Sequence, residues 1–138
     1  MSIVLDASVV VAAATASLQH TAAREHLDKW VAAAEDLHVP HLFIYEVASA
    51  VTGLEAEGQL SHRMHDDVWD LIDVLDLTFH PPSGGPALVA MARRLGRRSA
   101  YDAAYIDLAL QLTAELWTLD GKLARNAASL GFPVTLAV

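Results

Sequence analysis

The sequence contains no cysteine, which excludes disulfides, zinc–thiolate centres, iron–sulfur clusters and thiol nucleophiles together. That absence fits a reducing compartment, and a cytoplasmic location is the expectation. A basic amino-terminal region is also missing. Met1-Ser2-Ile3-Val4-Leu5-Asp6 places a carboxylate where a signal peptide needs its apolar stretch, so export is not expected. No apolar run is long enough to span a bilayer: the longest weakly polar stretch, residues 7–18, carries Ser8, Thr15 and Ser17 and falls short of about 20 apolar residues. Positive charge is scarce, with 9 Lys and Arg against 17 Asp and Glu for a net charge of −8. This argues against broad, phosphate-driven binding of nucleic acid. Any such role needs a local basic patch or a bound cation.

What is present suffices for one core. The 138 residues are 54 % apolar and 19 % charged, with a mean hydropathy of +0.32, values that suit a single compact domain over residues 1–138. Short uniformly apolar runs at residues 3–5, 37–39, 75–79, 116–119 and 134–138 predict strands, with Pro40 stopping the second. Between them, apolar spacing predicts helices over residues 8–15, 20–34, 42–57, 61–74, 87–95, 101–112 and 121–129. Gly58 ends the third of these and Ser61 caps the fourth. Pro81-Pro82-Ser83-Gly84-Gly85 is too short for a domain linker and reads as a turn. Alternation of apolar strands with helices is the signature of an α/β fold, a parallel sheet of about five short strands covered on both faces.

In such a sheet ligands bind at the carboxyl ends of the strands. Asp6 directly follows the first strand and Asp120 follows the fourth; Asp102 lies in the first turn after Ser99, and Glu46 lies on the helix after the second strand. Each has a plain structural alternative. Asp6 and Asp120 suit helix N-caps, Ser99 with Asp102 matches a capping box, and Glu46 suits a solvated helix face. Jointly, four carboxylates at one sheet edge repel one another unless hard cations sit among them, and all-oxygen ligation selects Mg²⁺ or Mn²⁺. Such ions lower the pKa of a water, align it on a phosphodiester and neutralise the departing oxygen, which points to a metal-dependent nuclease.

These residues resemble the PIN-domain ribonucleases, and among them the small VapC-type toxins of bacterial toxin–antitoxin pairs. Asp6-Ala7-Ser8 resembles the opening motif and Glu46 the lone Glu after the second strand. Ser99-Ala100-Tyr101-Asp102-Ala103-Ala104-Tyr105 is similar to the S-x-Y-D-A-x-Y signature, and Thr118-Leu119-Asp120 to the closing T-x-D. The resemblance covers the whole chain. It implies that Asp6, Glu46, Asp102 and Asp120 form the metal site for Mg²⁺ or Mn²⁺, with Ser8 and Thr118 as supporting hydroxyls. It further implies an RNA substrate, a homodimer, and a VapB-like antitoxin lying across the early apolar helices at residues 9–13 and 43–51, able to push a basic side chain into the pocket.

Four of the nine basic residues, Arg93, Arg94, Arg97 and Arg98, fall just before the helix bearing Asp102. They are candidates for RNA phosphate contacts, or simply cations at a helix end. Asp107 lies five residues beyond Asp102, about 140° around the helix, and is left outside the site. The pairs His62/His65 and His38/His41 lack a third ligand at suitable spacing. Asp66, Asp67, Asp70, Asp73 and Asp76 read as the solvated face of a helix packed through Val68, Trp69, Ile72 and Leu75. Two further readings are a phospho-receiver domain, which lacks here both paired acids after the first strand and an acceptor Asp after the third, and a non-catalytic binding module.

Overall fold

The computed structural model describes residues 1–15 and 21–138. Its elements run β1 (Ser2–Leu5), α1 (Ala7–Thr15), α2 (Thr21–Ala32), β2 (Asp36–Pro40), α3 (Leu42–Ala56), α4 (His62–Leu75), β3 (Thr78–His80), α5 (Gly85–Arg94), α6 (Tyr101–Leu112), β4 (Glu115–Thr118), α7 (Gly121–Ser129) and β5 (Val134–Leu136). All pairings in the five-stranded sheet are parallel, in the order β3-β2-β1-β4-β5. The α/β class and the helical cover on both faces are as the sequence predicts.

Successive residues of β1 feed opposite cores, because strand side chains alternate faces. Ile3 and Leu5 pack with Val9, Leu27, Phe43, Val47, Val68 and Ile72 from α1 to α4. Val4 packs instead with Ala92, Ile106, Leu116 and Leu123, beneath α5 to α7. On α4 the pattern resolves as expected: Val68, Ile72 and Leu75 are buried and the five Asp residues of that stretch are exposed. The Ser61 hydroxyl accepts the Met64 N–H at 3.3 Å, capping the helix.

Several boundaries differ from expectation. The third strand is Thr78–His80 rather than residues 75–79, because Leu75 completes α4 and Asp76 turns the chain with φ 50°. Pro40 closes β2 from within, its register partner being His80. Helix α5 starts at Gly85, earlier than residue 87, since Pro86 suits a first helical turn where its missing N–H is not needed. The last strand ends at Leu136 rather than residue 138. His20, the expected start of the second helix, lies outside the described residues. Among the described residues no helix is long and apolar enough to cross a membrane.

Candidate functional site

The strand order reverses between β1 and β4, so their carboxyl ends open the crevice where parallel sheets bind ligands. Asp6 leaves β1 at this point, its backbone N–H extending the ladder to the Trp117 carbonyl at 3.0 Å. Asp120 follows β4 and serves as the N-cap of α7, with Oδ1 accepting the Leu123 N–H at 3.0 Å. Its Oδ2 remains for the crevice. Asp102 stands in the first turn of α6, whose N-cap is Ala100 without a side-chain cap, so the Ser99–Asp102 capping box does not form. Glu46 comes from α3, held in place by the buried stripe Phe43, Val47 and Val51.

The four acids lie near one another. Burial chiefly raises the pKa of Glu46, the nearby Tyr105 hydroxyl opposes this, and the charges of Asp6 and Asp102 add to it. Asp102 is likewise raised, first by burial, against the pull of Arg97, and then by Asp6 and Asp120. Each carboxylate therefore stands within electrostatic reach of its neighbours.

Two hydroxyls orient Asp6. Its Oδ2 accepts Thr118 Oγ1–H at 2.6 Å and Ser8 Oγ–H at 2.9 Å. Thr118 Oγ1 accepts the Asp120 N–H at 3.0 Å and Ser8 Oγ the Leu119 N–H at 3.1 Å, so the backbone directs both hydroxyl protons onto Asp6. Thr118 is fully buried. Both hydroxyls named from the sequence thus lie against Asp6.

One participant was not singled out as a site residue by sequence, and another takes a role not expected of it. The Tyr105 hydroxyl is buried near Glu46, and burial, with the charges of Asp6 and Glu46, pushes its pKa far above that of an ordinary phenol. Its position within the S-x-Y-D-A-x-Y stretch was the available signal. The other is Arg97 in a new role. Helix α5 ends in a Schellman motif: Gly96 has φ +65°, its N–H bonds to the Arg93 carbonyl, and the Arg97 N–H bonds to the Ala92 carbonyl at 3.0 Å. From this anchor the Arg97 guanidinium reaches inward, with Nε 3.1 Å from Asp102 Oδ2 and an NH2 group donating to Asp120 Oδ2 at 3.2 Å.

The basic window is therefore divided. Arg97 faces the acids, Arg94 lies over the Phe132 ring at 4.9 Å from its centroid, and Arg93 and Arg98 are exposed. Asp107 accepts Ser83 Oγ–H at 2.5 Å and a Gln111 amide N–H at 3.0 Å, apart from the four acids. Of the paired histidines, His65 accepts Trp69 Nε1–H at 3.2 Å, and the His38 ring pairs with that of His80 at 2.9 Å across β2 and β3.

The donor set suits a hard divalent cation, being all oxygen, with Glu46 Oε1 buried and lacking any hydrogen-bond partner. In this conformation, however, no three carboxylate or imidazole groups among the described residues are grouped to hold one ion. The Arg97 guanidinium bridges Asp102 and Asp120 instead.

A doubly covered parallel sheet with acids converging at its switch point defines a class of small α/β domains, and sequence comparison identifies which. The PIN domain family model matches residues 3–129, and the chain belongs to this family. It is 31 % identical over 138 residues to Ribonuclease VapC3 of Pyrobaculum aerophilum, an alignment covering 96 % of this chain and 100 % of that protein. The fold is similar to the crystal structure of PAE2754 from Pyrobaculum aerophilum, with TM-score 0.72, 23 % identity and coverage of 91 % of this chain and 79 % of that one. A PilT N-terminus domain protein of Sulfolobus solfataricus is also similar, with TM-score 0.51 and 15 % identity over 99 % of this chain and 87 % of that one. The phospho-receiver reading has no support here.

Proposed function

We propose that residues 1–138 form one PIN domain acting as a Mg²⁺- or Mn²⁺-dependent endoribonuclease, the toxin of a VapBC-type pair in the cytoplasm. The observation that carries this reading is the convergence of Asp6, Glu46, Asp102 and Asp120 at the switch point. The relative named as a ribonuclease, aligned over nearly the whole chain, supports the substrate class.

Asp6, Asp102, Asp120 and Glu46 would hold the cation. When bound, it supplies Lewis-acid activation of water and neutralises charge on the phosphate. The chain's own groups do the rest. Ser8 and Thr118 keep Asp6 aimed into the crevice. Glu46, whose proton affinity burial raises, is suited to take the proton from the attacking water. The Tyr105 hydroxyl, buried beside Glu46 without a hydrogen-bond partner of its own, keeps its proton.

Helical spacing builds a groove beside the acids. Glu46, Ala50 and Leu54 on α3 face Ser8, Val11, Ala12 and Thr15 on α1 across a cavity of about 460 Å³. This apolar trough ending in carboxylates suits an antitoxin segment with a terminal basic side chain. A different face, where the exposed Tyr45 and Tyr101 rings flank a cavity also lined by Pro40, Leu42, Pro81 and Pro82, suits pairing of two copies. Sedimentation at high concentration is expected to give a dimer, and a monomer would exclude the pairing.

The test of the function is incubation of purified protein with total cellular RNA. Discrete fragments are expected with Mn²⁺ and none when EDTA replaces it. Equal cleavage with EDTA, or no cleavage in any lane, would set the proposal aside.

A further inference from the structure

We infer that Arg97 is this chain's own occupant of the acidic pocket, and that a divalent cation enters only as the Arg97 side chain withdraws. The inference rests on the metal-dependent reading above and adds to it a residue that sets metal affinity. Three observations carry it. The guanidinium contacts two of the four acids at once, at 3.1 Å and 3.2 Å, with its side chain only 19 % exposed. The donor chemistry around it suits a hard ion, and two of the oxygens that would ligate one, Asp102 Oδ2 and Asp120 Oδ2, are those the guanidinium holds. And Glu46 Oε1, which Arg97 does not reach, is buried without a partner, so the single charge of a guanidinium leaves the cluster incompletely compensated.

A guanidinium and a dication compete for Asp102 Oδ2 and Asp120 Oδ2, the oxygens that Arg97 holds here. Metal binding must therefore offset the loss of the Arg97 contacts. Those contacts are built to yield. Only the NH2 group makes a directional hydrogen bond, to Asp120. The Nε–H near Asp102 is not aligned as one. The backbone of Arg97 is fixed by the Schellman motif, so the side chain can swing by rotamer changes alone, without unravelling α5 or α6. Withdrawn, it remains at the pocket's rim as a cation of the right geometry for a substrate phosphate.

The test is direct Mn²⁺ binding to the metal-free full chain, measured by calorimetry and by the rise in Tm at saturating metal, with no RNA present. Arg97→Ala and Arg97→Gln are expected to bind Mn²⁺ about tenfold more tightly than the parent, because truncating one partner of a partly buried charge pair leaves the carboxylates uncompensated until metal arrives. The Tm rise on adding metal should grow correspondingly. Arg97→Lys, which keeps the charge, should stay near the parent affinity. Should Arg97→Ala fail to fold, the comparison of Arg97→Gln with Arg97→Lys carries the same information. Unchanged or weaker Mn²⁺ binding in the neutral variants, beside measurable binding in the parent, overturns the inference while leaving the nuclease reading intact. Absence of Mn²⁺ binding in the parent and in every variant removes the metal-dependent reading itself, and this inference with it.

Discussion

Asp102→Asn is expected to lower Mn²⁺-dependent RNA cleavage by about a thousandfold, the scale of losing several kcal/mol of metal-borne charge stabilisation, while leaving the fold intact. Asp102 is the acid most embedded among the others: Asp6 and Asp120 act on it electrostatically, and it acts on Glu46. Asn preserves its shape but exchanges a carboxylate oxygen for an amide nitrogen that a hard cation does not ligate. The substitution spares α6 because Asp102 caps nothing; the helix begins after Ala100, anchored through buried Ala103, Ile106 and Leu108. Cleavage of labelled RNA, read beside a circular-dichroism melt, separates the two effects. Near-parental cleavage would contradict the assignment, and a collapse of Tm would mean that Asp102 carries structure instead.

Glu46→Gln is expected to move activity and stability in opposite directions. Cleavage should fall about a hundredfold, the usual worth of a positioned proton acceptor. The metal-free protein, by contrast, should melt at a higher temperature than the parent at pH 7. The reason is linkage. Burial and the charges of Asp6 and Asp102 raise the pKa of Glu46 in the folded state above its ordinary value of 4.5, so the folded chain holds the proton more tightly than the unfolded one. The ionised side chain therefore disfavours folding at neutral pH. That penalty is fully present above the folded-state pKa, shrinks as pH falls through it, and is gone below the unfolded value. The advantage of Gln over Glu should follow the same course. Melting curves from pH 8 to pH 4 check it, and a variant less stable than the parent at pH 7 would show that Glu46 is well accommodated when ionised.

These two acids also show how far local pattern reached. Asp6 and Asp120 were legible because each immediately follows an apolar strand, and a parallel sheet turns that position into a location in space. Asp102 and Glu46 were less so. Their helices were readable from spacing, but each had a sound alternative as a cap or a solvated residue, and only packing sets those aside. One structural alternative is realised: Asp120 caps α7 with Oδ1, while its Oδ2 faces the crevice. In the basic window the sequence shows four arginines close together, but not that Gly96 reverses the chain and sends Arg97 inward.

What the sequence by itself determined is what depends on neighbours within a turn or a pleat. The α/β alternation, the Ser61 cap, the exposed acidic face of α4 and the order of the elements follow from periodicity and short-range hydrogen bonding. Tertiary structure alone decided what depends on long-range closure. Thr118 meets Asp6 across 112 positions only because β1 and β4 pair. Arg97 reaches Asp120, 23 positions on, only because α5 ends beside the carboxyl end of β4. The burial that raises the proton affinity of Glu46 and Asp102 likewise exists only once both cores have closed around the sheet. Charge and residue type are written in the chain, but the electrostatic work of one side chain on another depends on distance and dielectric, and folding sets both.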